Sequence, residues 1–350
     1  MKGDNIMAES EFMEKGFDFN DDPFSANQEE YAALFDKINS APKDLYDKYE
    51  ALFYNVYPGA LCDQALMDSY KHVYDIPYAD KSPDEKFDIY YPEGEGPFPA
   101  VINLHAGGFC GGSAKDFTLP PMFQIVDAGY ALVSMDYRLS GEDHWPACVY
   151  DVKAGVRYLR AHAEELNIDP NRIISWGYSA GAYLSAMLAV TGDEEMFNDA
   201  DLGNIDQPSR VQAAIVGSGP CGNMGEFDAW LDKLAERTGV PVLFPHNDPN
   251  SVESWLFGLP LPKIDPLLRL ADPRHYVDKN TAPILLMHGT DDPLVPFEVA
   301  QAMHAKVAQE IGEENTGLVV GEGNHHCDDP WFMTPERFQL AFDFIEKHVK

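Results

Sequence analysis

A serine between two glycines gives the chain its clearest chemical signal. Residues 172–181 (RIISWGYSAG) read as a short apolar strand, a Gly-x-Ser-x-Gly turn and the start of a helix. A serine on so sharp a turn presents its hydroxyl away from the sheet, and the unpaired N–H groups of the following helix favour developing negative charge. Ser179 is therefore a candidate nucleophile for acyl transfer. Because glycine, serine and alanine are common, the five-residue pattern by itself is equally typical of a structural turn.

Serine is a poor nucleophile at neutral pH, so Ser179 needs a base and a third group that orients the base. Two later apolar runs end in suitable side chains. The first, 285–290, leads into Asp291 and Asp292, and the second, 318–321, leads into His325 and His326. The order serine, acid, histidine along the chain is that of α/β-hydrolases and differs from the orders of chymotrypsin-like and subtilisin-like proteases.

Acyl transfer also needs N–H groups aimed at the oxygen that becomes charged, and loss of one such donor costs about 2.7–4 kcal/mol of transition-state stabilisation. The N–H of Ala180, directly after the serine, can supply one donor. Others can come from residues 105–109 (HAGGF), which follow an apolar run and lack side chains where the backbone must approach a ligand.

The candidate serine, acid and histidine must be positioned by the secondary-structure elements that precede them. Along the chain, strand patterns alternate with helix patterns. This alternation predicts a mostly parallel, doubly wound α/β sheet with right-handed crossovers. The predicted strands lie within 73–91 and at 99–104, 131–135, 172–176, 211–216, 284–287 and 317–320, and the predicted helices at 119–128, 148–165, 182–190 and 335–348. The candidate serine, acid and histidine then all follow strand carboxyl ends.

Two regions depart from this alternation. Apolar residues at helical spacing over 28–57 predict a pair of amphipathic helices within an N-terminal extension, 1–72, that packs on the main domain or caps its site. The main domain is predicted at 73–350. Within it, 220–280 has no strand pattern and reads as an insertion above the sheet. Trp230, Trp255 and Phe257 are candidates there for lining a pocket, although packing is the favoured role of each.

The amino-acid composition narrows the classes of molecule that the protein is expected to bind. Asp and Glu number 58 against 25 Lys and Arg, a formal charge of −33 that disfavours nucleic acid and anionic membranes as partners and fits a solvated acidic surface. Neither an export signal nor an apolar run of transmembrane length is visible. Five scattered cysteines are typical of reduced thiols, so we expect a cytoplasmic protein. Homo-oligomerisation stays open.

Residues 73–348 resemble the α/β-hydrolase esterases related to hormone-sensitive lipase, in particular bacterial acetyl esterases and feruloyl- or xylan-directed carbohydrate esterases. The order of several motifs carries this resemblance better than any one of them. They are HAGGF at 105–109, DYRLSGE at 136–142, WPA at 145–147 with DVKA at 151–154, NIDPNRI at 167–173, the serine turn, and HGTDD at 288–292.

The resemblance implies a role for each site residue. Ser179 becomes the nucleophile, Asp292 the triad acid and His326 the base. The oxyanion donors become Gly107, Gly108 and Ala180. The family's His-Gly-x-x-Asp and Gly-x-x-His spacings favour Asp292 over Asp291 and His326 over His325.

The sequence thus predicts a serine esterase that hydrolyses short-chain acyl esters, acetyl or hydroxycinnamoyl, of a carbohydrate or similar small-molecule or oligosaccharide alcohol. No cofactor is implied. The cluster HHCDD at 325–329 contains zinc-ligand types, but consecutive loop residues rarely converge on one ion, and no metal is expected. The alternatives are a serine amidase or peptidase of aminopeptidase or formamidase type, and a hydrolase-like binding protein without catalysis.

Overall fold

A mixed sheet runs through the part of the chain that the computed structural model describes, residues 61–116, 118–239, 242, 245–327 and 332–349. Its eight strands lie in the order β1-β2-β4-β3-β5-β6-β7-β8. They are β1 (Lys71–Pro77), β2 (Lys86–Tyr91), β3 (Phe98–Leu104), β4 (Ala131–Met135), β5 (Ile168–Tyr178), β6 (Ala213–Gly217), β7 (Ile284–Gly289) and β8 (Thr316–Gly321).

The α-helices of the described residues lie between or after these strands, except for one short helix that precedes β1. They are α1 (Gln64–Asp68), α2 (Leu119–Asp127), α3 (Ala147–Ala161), α4 (Ala180–Val190), α5 (Phe227–Thr238), α6 (Val252–Phe257), α7 (Asp265–Leu270), α8 (Phe297–Ile311) and α9 (Pro335–His348). Among the described residues, no helix has the length and apolar composition needed to cross a membrane.

The sheet is parallel from β4 through β8, and β2 is antiparallel to its neighbours β1 and β4. Both of its faces are covered, as two adjacent residues of β5 show. Ser175 donates a hydrogen bond to the carbonyl of Ser185 in α4 at 3.3 Å. Trp176, on the opposite face, packs its ring 5.0 Å from that of Phe338 in α9. The predicted doubly wound, mostly parallel sheet is confirmed.

The parallel register brings the strand carboxyl ends to one edge of the sheet. Gly177 in β5 pairs with Leu104 in β3 and with Val216 in β6, while Gly289 in β7 pairs with Gly321 in β8. The loops that leave these ends therefore start side by side, which is the edge where ligands bind in open α/β sheets. The candidate serine, acid and histidine all follow this edge.

Some boundaries differ from the predicted ones. The sheet begins at Lys71, and the helix predicted to reach residue 165 ends at Ala161, after which Asn167 in a left-handed conformation (φ 52°) turns the chain into β5. Helix α8 was not predicted. Within the described part of 220–280 the chain forms short helices and no strand. The helical pair predicted at 28–57 lies outside the described residues, as do Asp328 and Asp329 of the HHCDD cluster.

Candidate active site

The turn after β5 places Ser179 in a strained backbone conformation. Its φ of 53° and ψ of −120° lie outside the ordinary regions for a residue with a side chain, and it is the N-cap of α4. The Ser179 N–H donates to the carbonyl of Gly217 at the end of β6, at 2.8 Å. The hydroxyl therefore sits above the sheet at the first turn of a helix, as the nucleophile-elbow pattern predicts.

Glycine is required on both sides of this serine because backbone approaches backbone. A Cβ on Gly177 would overlap the backbone of Gly181, and a Cβ on Gly181 would overlap the carbonyl oxygen of Leu104 at the end of β3. The close approach seats the first turn of α4 directly against the start of the loop at 105–109. The sequence shows the glycines but not which atoms they approach.

Substituting Gly181→Ala is expected to lower the free energy of unfolding by about 1–3 kcal/mol, because the new methyl group meets a backbone atom that cannot rotate away. Urea unfolding followed by circular dichroism measures the change. Gly111→Ala is the matched control, since its Cβ would meet its nearest atom, the carbonyl oxygen of Gly107, at 3.9 Å. Equal stability of the two variants would contradict the close-approach argument.

The structure brings Ser179, His326 and Asp292 into one hydrogen-bonded chain. The Ser179 Oγ lies 2.9 Å from His326 Nε2, and His326 Nδ1 lies 2.8 Å from Asp292 Oδ2. Because a carboxylate only accepts hydrogen bonds, Nδ1 carries the proton, and a neutral His326 then accepts at Nε2 from the serine hydroxyl. This is the tautomer that a general base needs.

The neighbouring residues His325 and Asp291 are not brought to Ser179 in this way. His325 is exposed. Asp291 is half-buried, and its Oδ1 pairs with the guanidinium of Arg237 in α5 at 3.0 Å. Of the alternatives that the sequence analysis left open, the motif spacings favour His326 and Asp292, and the structure places His326 in contact with Ser179 and Asp292 in contact with His326.

The loop at 290–296, here called the acid loop, packs directly on the loop that carries the histidines. The Asp291 N–H donates to the carbonyl of Asn324 at 3.0 Å, and the Gly323 N–H donates to Thr290 Oγ1 at 2.9 Å. A Cβ on Gly289 would overlap the carbonyl oxygen of Asn324. Acid and base therefore have fixed relative positions before any substrate binds.

Asp292 is fully buried and surrounded by donors. Its Oδ1 accepts the N–H groups of Leu294 at 2.9 Å and Val295 at 2.8 Å, and its Oδ2 lies 3.2 Å from His288 Nε2 in addition to the contact with His326. Burial alone would raise the pKa of Asp292, but the charge of His326 and the hydrogen bonds of both histidines hold it well below its usual value. Asp292 is therefore an anion at neutral pH.

The contact between Asp292 and His326 shifts the pKa of the histidine in the opposite direction. Burial alone would lower the pKa of His326, but the negative charge of Asp292 raises it well above the usual value for histidine. A base with a raised pKa accepts a proton readily, which suits a group that must take one from a serine hydroxyl.

Three successive residues of the loop at 105–109 have positive φ angles. Gly107, Gly108 and Phe109 have φ angles of 123°, 58° and 62°, and a Cβ on Gly107 would overlap the carbonyl of Gly111. Among the loop and turn hydrogen bonds of the described residues, none has the N–H of Gly108 or Ala180 as donor. Because α4 abuts the start of this loop, these N–H groups lie on the same side of the sheet as Ser179.

His105, the first residue of that loop, is fixed by its neighbours. It is buried, its ring stacks on Tyr137 with centroids 4.3 Å apart, and its Nδ1 lies 2.7 Å from the carbonyl of Ala106. The Tyr137 hydroxyl donates to the carbonyl of His105 at 2.9 Å. His105 thus stabilises the loop from below.

Other residues considered in the sequence have structural surroundings. Phe257 is buried against Trp145 with centroids 5.8 Å apart, and Trp255 is half-buried with its carbonyl 3.1 Å from His144 Nδ1. Trp230 lines a cavity of about 200 Å³ beside the acid loop. Ser218, at the end of β6, is buried with a φ of 48°.

Two further histidines contact the acid loop, and the sequence analysis assigned no role to either. His288 is the last residue but one of β7 and lies four positions before Asp292, a spacing that could have drawn attention to it. His246 lies in the insertion and donates through Nε2 to the carbonyl of Leu294 at 2.7 Å. No sequence signal marks that second contact, since it joins residues far apart in the chain.

The BD-FAE family model matches residues 87–307, more than half of the chain. Among curated proteins, the chain is 26% identical over 255 residues to the "Probable carboxylic ester hydrolase LipM" of Mycobacterium tuberculosis, covering 72% of this chain and 55% of that protein. The chain spans about half the length of the first curated relatives it matches.

Solved structures show the same fold. A "truncated form of carbohydrate esterase from gut microbiota" superposes with a TM-score of 0.66 at 25% identity, covering 83% of this chain and 99% of that chain. A butyrate-bound esterase of Thermogutta terrifontis superposes with a TM-score of 0.59 at 22% identity, covering 83% of this chain and 94% of that one. The α/β-hydrolase fold predicted from the sequence is confirmed.

Proposed function

The chain belongs to the BD-FAE family, and from this premise we propose that it is a serine esterase that hydrolyses short-chain acyl esters of a carbohydrate. The observation that carries the proposal is the continuous contact from Ser179 Oγ through His326 to Asp292, at 2.9 Å and 2.8 Å. The relative from Mycobacterium tuberculosis is named as a carboxylic ester hydrolase, which supports the ester bond, and the gut-microbiota structure is named as a carbohydrate esterase, which supports a carbohydrate substrate.

In the proposed reaction Ser179 Oγ attacks the ester carbonyl carbon while His326 Nε2 takes the hydroxyl proton. Asp292 stays ionised and stabilises the imidazolium. The carbonyl oxygen becomes an oxyanion at the N–H groups of Gly107, Gly108 and Ala180. His326 then gives its proton to the departing alcohol, and a water molecule, activated by the same histidine, hydrolyses the acyl-enzyme and returns the serine.

A substrate series tests the proposal at two levels. Nitrophenyl esters of increasing acyl length, with acetyl and feruloyl esters among them, measure the acyl preference, and release of acetate from acetylated xylo-oligosaccharides measures the alcohol preference. We expect the highest kcat/KM with short acyl groups and measurable acetate release. Faster turnover of an aminoacyl anilide than of p-nitrophenyl acetate would instead indicate an amidase or peptidase.

The pH dependence of kcat/KM follows from the raised pKa of His326. A base with a raised pKa stays protonated, and so inactive, up to a higher pH, and we expect the acid limb of the rate profile above pH 6.5, the usual histidine value. Asp292→Asn removes the charge that raises this pKa, so its limb is expected at lower pH, with kcat reduced about 10⁴-fold. A flat profile, or an unchanged limb in Asp292→Asn, would contradict the assignment.

We also propose a cytoplasmic location. All five cysteines lie in the described part of the chain and are free thiols, four of them buried. Burial raises the pKa of Cys148 and of Cys221, which keeps both as unreactive packing groups. A reducing compartment suits such a set of thiols.

A further inference from the structure

Two residues of the acid loop are each bound through both backbone polar groups, the N–H and the carbonyl. Their N–H groups, on Leu294 and Val295, donate to Asp292 Oδ1 at 2.9 Å and 2.8 Å. Their carbonyl groups each accept from a histidine that lies outside the acid loop, His246 for Leu294 and His288 for Val295, at 2.7 Å and 3.0 Å. The donors that orient the triad acid are thus themselves oriented by two imidazole rings.

His288 acts from within the sheet. It is buried at the end of β7, and its Nε2 faces the carbonyl of Val295 at 3.0 Å and Asp292 Oδ2 at 3.2 Å. Because both partners are acceptors, Nε2 carries a proton and is shared between them. One ring therefore contacts both the carboxylate of Asp292 and the carbonyl of Val295, the residue whose N–H also binds that carboxylate.

His246 acts from the insertion. It is buried, with Nε2 on the carbonyl of Leu294 and Nδ1 2.8 Å from Glu253 Oε1 in α6. Because the carbonyl of Leu294 can only accept a hydrogen bond, Nε2 carries a proton. Burial alone would lower the pKa of His246, but the charge of Glu253 raises it above its usual value.

His246 is itself fixed by its neighbours in the insertion. Its backbone N–H donates to Asp228 Oδ1 at 2.7 Å, and its carbonyl accepts from the hydroxyl of Ser251 at 2.6 Å. The ring of Phe227 packs edge-on against the imidazole with centroids 5.3 Å apart. The insertion therefore presents His246 to the acid loop as a rigid donor.

We propose that His288 and His246 are positioning residues for the esterase reaction, which clamp the acid loop from the sheet and from the insertion and so hold Asp292 against His326. The inference rests on the proposed function. Neither histidine touches Ser179 in the described contacts, so their effect is on the geometry of the acid and base. A misplacement of about 1 Å in such a group can lower the rate about a hundredfold.

The test compares two replacements at each position in the full chain. Glutamine keeps an N–H donor near the place of Nε2, whereas methionine fills similar space without one. We expect kcat for p-nitrophenyl acetate to fall about tenfold to a hundredfold in His288→Met and His246→Met with KM unchanged, and to recover in His288→Gln and His246→Gln. His304→Met, on half-buried His304 of α8, is the matched control.

A second measurement separates positioning from stability. The His326 Nδ1 proton shared with Asp292 is expected to give a far-downfield proton resonance, absent in His326→Ala. We expect the methionine variants to shift or lose this resonance and the glutamine variants to keep it. Wild-type kcat in the methionine variants, or equal loss in both replacements with the resonance unchanged, would overturn the clamp. If a methionine variant does not fold, the glutamine variant at that position provides the test. A kcat and a resonance that match the wild type support the clamp, and loss of either contradicts it.

Different experimental results would contradict the clamp and the proposed esterase function. If purified wild-type protein does not hydrolyse any of the esters, or if Ser179→Ala hydrolyses them as fast as the wild type, the esterase proposal is wrong. If wild type is active and Ser179→Ala is not, while the methionine variants keep full kcat, only the clamp is wrong.

Discussion

Ser179→Ala is expected to lower kcat for p-nitrophenyl acetate by about 10⁶-fold, the largest effect of any single substitution in the chain. The hydroxyl is the group proposed to attack the carbonyl, and His326 Nε2 at 2.9 Å is placed to take its proton. Without Oγ, only binding and the oxyanion donors remain to assist attack by water. Initial rates over a range of substrate concentrations measure the loss.

The variant should still fold, because the turn is held by backbone contacts. The Ser179 N–H donates to the carbonyl of Gly217, whereas the serine hydroxyl contacts the side chain of His326. Ser218→Ala is the matched control, since Ser218 is a buried serine with a similar φ of 48° at the next strand end. Equal losses in the two variants would contradict a nucleophilic role for Ser179.

His326→Ala is expected to lower kcat nearly as much, by about 10⁶-fold, because residues of a triad act as a unit. The alanine removes both the acceptor for the serine proton and the partner of Asp292 Oδ2 at 2.8 Å. It also leaves Asp292 as a buried carboxylate without its nearest counter-charge, so the unfolding free energy should fall as well. Steady-state kinetics and urea unfolding record the two effects separately.

His325→Ala is the control for this second prediction. His325 adjoins the base in sequence but is exposed, and we expect its loss to change kcat little. The opposite result, a large loss at His325 and a small one at His326, would show that the base had been assigned to the wrong histidine. A comparable pair, Asp291→Asn and Asp292→Asn, tests the acid in the same way.

Much of the fold could be predicted because buried parallel strands have their own signature. The apolar runs that became β3, β4, β6 and β7 are buried almost throughout, so most of their residues are apolar and each run stands out from the helices between. Helix α8 was missed although its buried residues Val299, Met303 and Val307 stand at helical spacing. The predicted end of α3 was four residues too late, and helix ends are the part of an element that sequence patterns fix least well.

The five-residue pattern alone did not single out the serine, which became a candidate nucleophile only together with the acid and histidine pairs that follow it. Residue types alone did not separate Asp291 from Asp292 or His325 from His326. Spacing learned from a family favoured one residue of each pair. The geometry agrees, because the loop contact between Asp291 N–H and Asn324 points the next carboxylate inward.

The contact of His246 with the acid loop was beyond sequence reasoning for a physical reason. It joins residues 48 positions apart, across an insertion without strand pairing to fix its register. The contact is visible only in the folded structure. There His246, paired with Glu253, meets the carbonyl of Leu294, and the N–H of Leu294 binds Asp292.

One covalent labelling experiment tests the central claim, that Ser179 is an activated nucleophile. The full chain is treated with a fluorophosphonate, which reacts with activated serines and leaves a stable adduct, and the adduct is counted by intact mass and located by peptide mapping. The account predicts one adduct per chain, on Ser179, with parallel loss of ester hydrolysis, and none in His326→Ala on the same time scale. An adduct on another residue, or full ester hydrolysis in fully labelled protein, would contradict it.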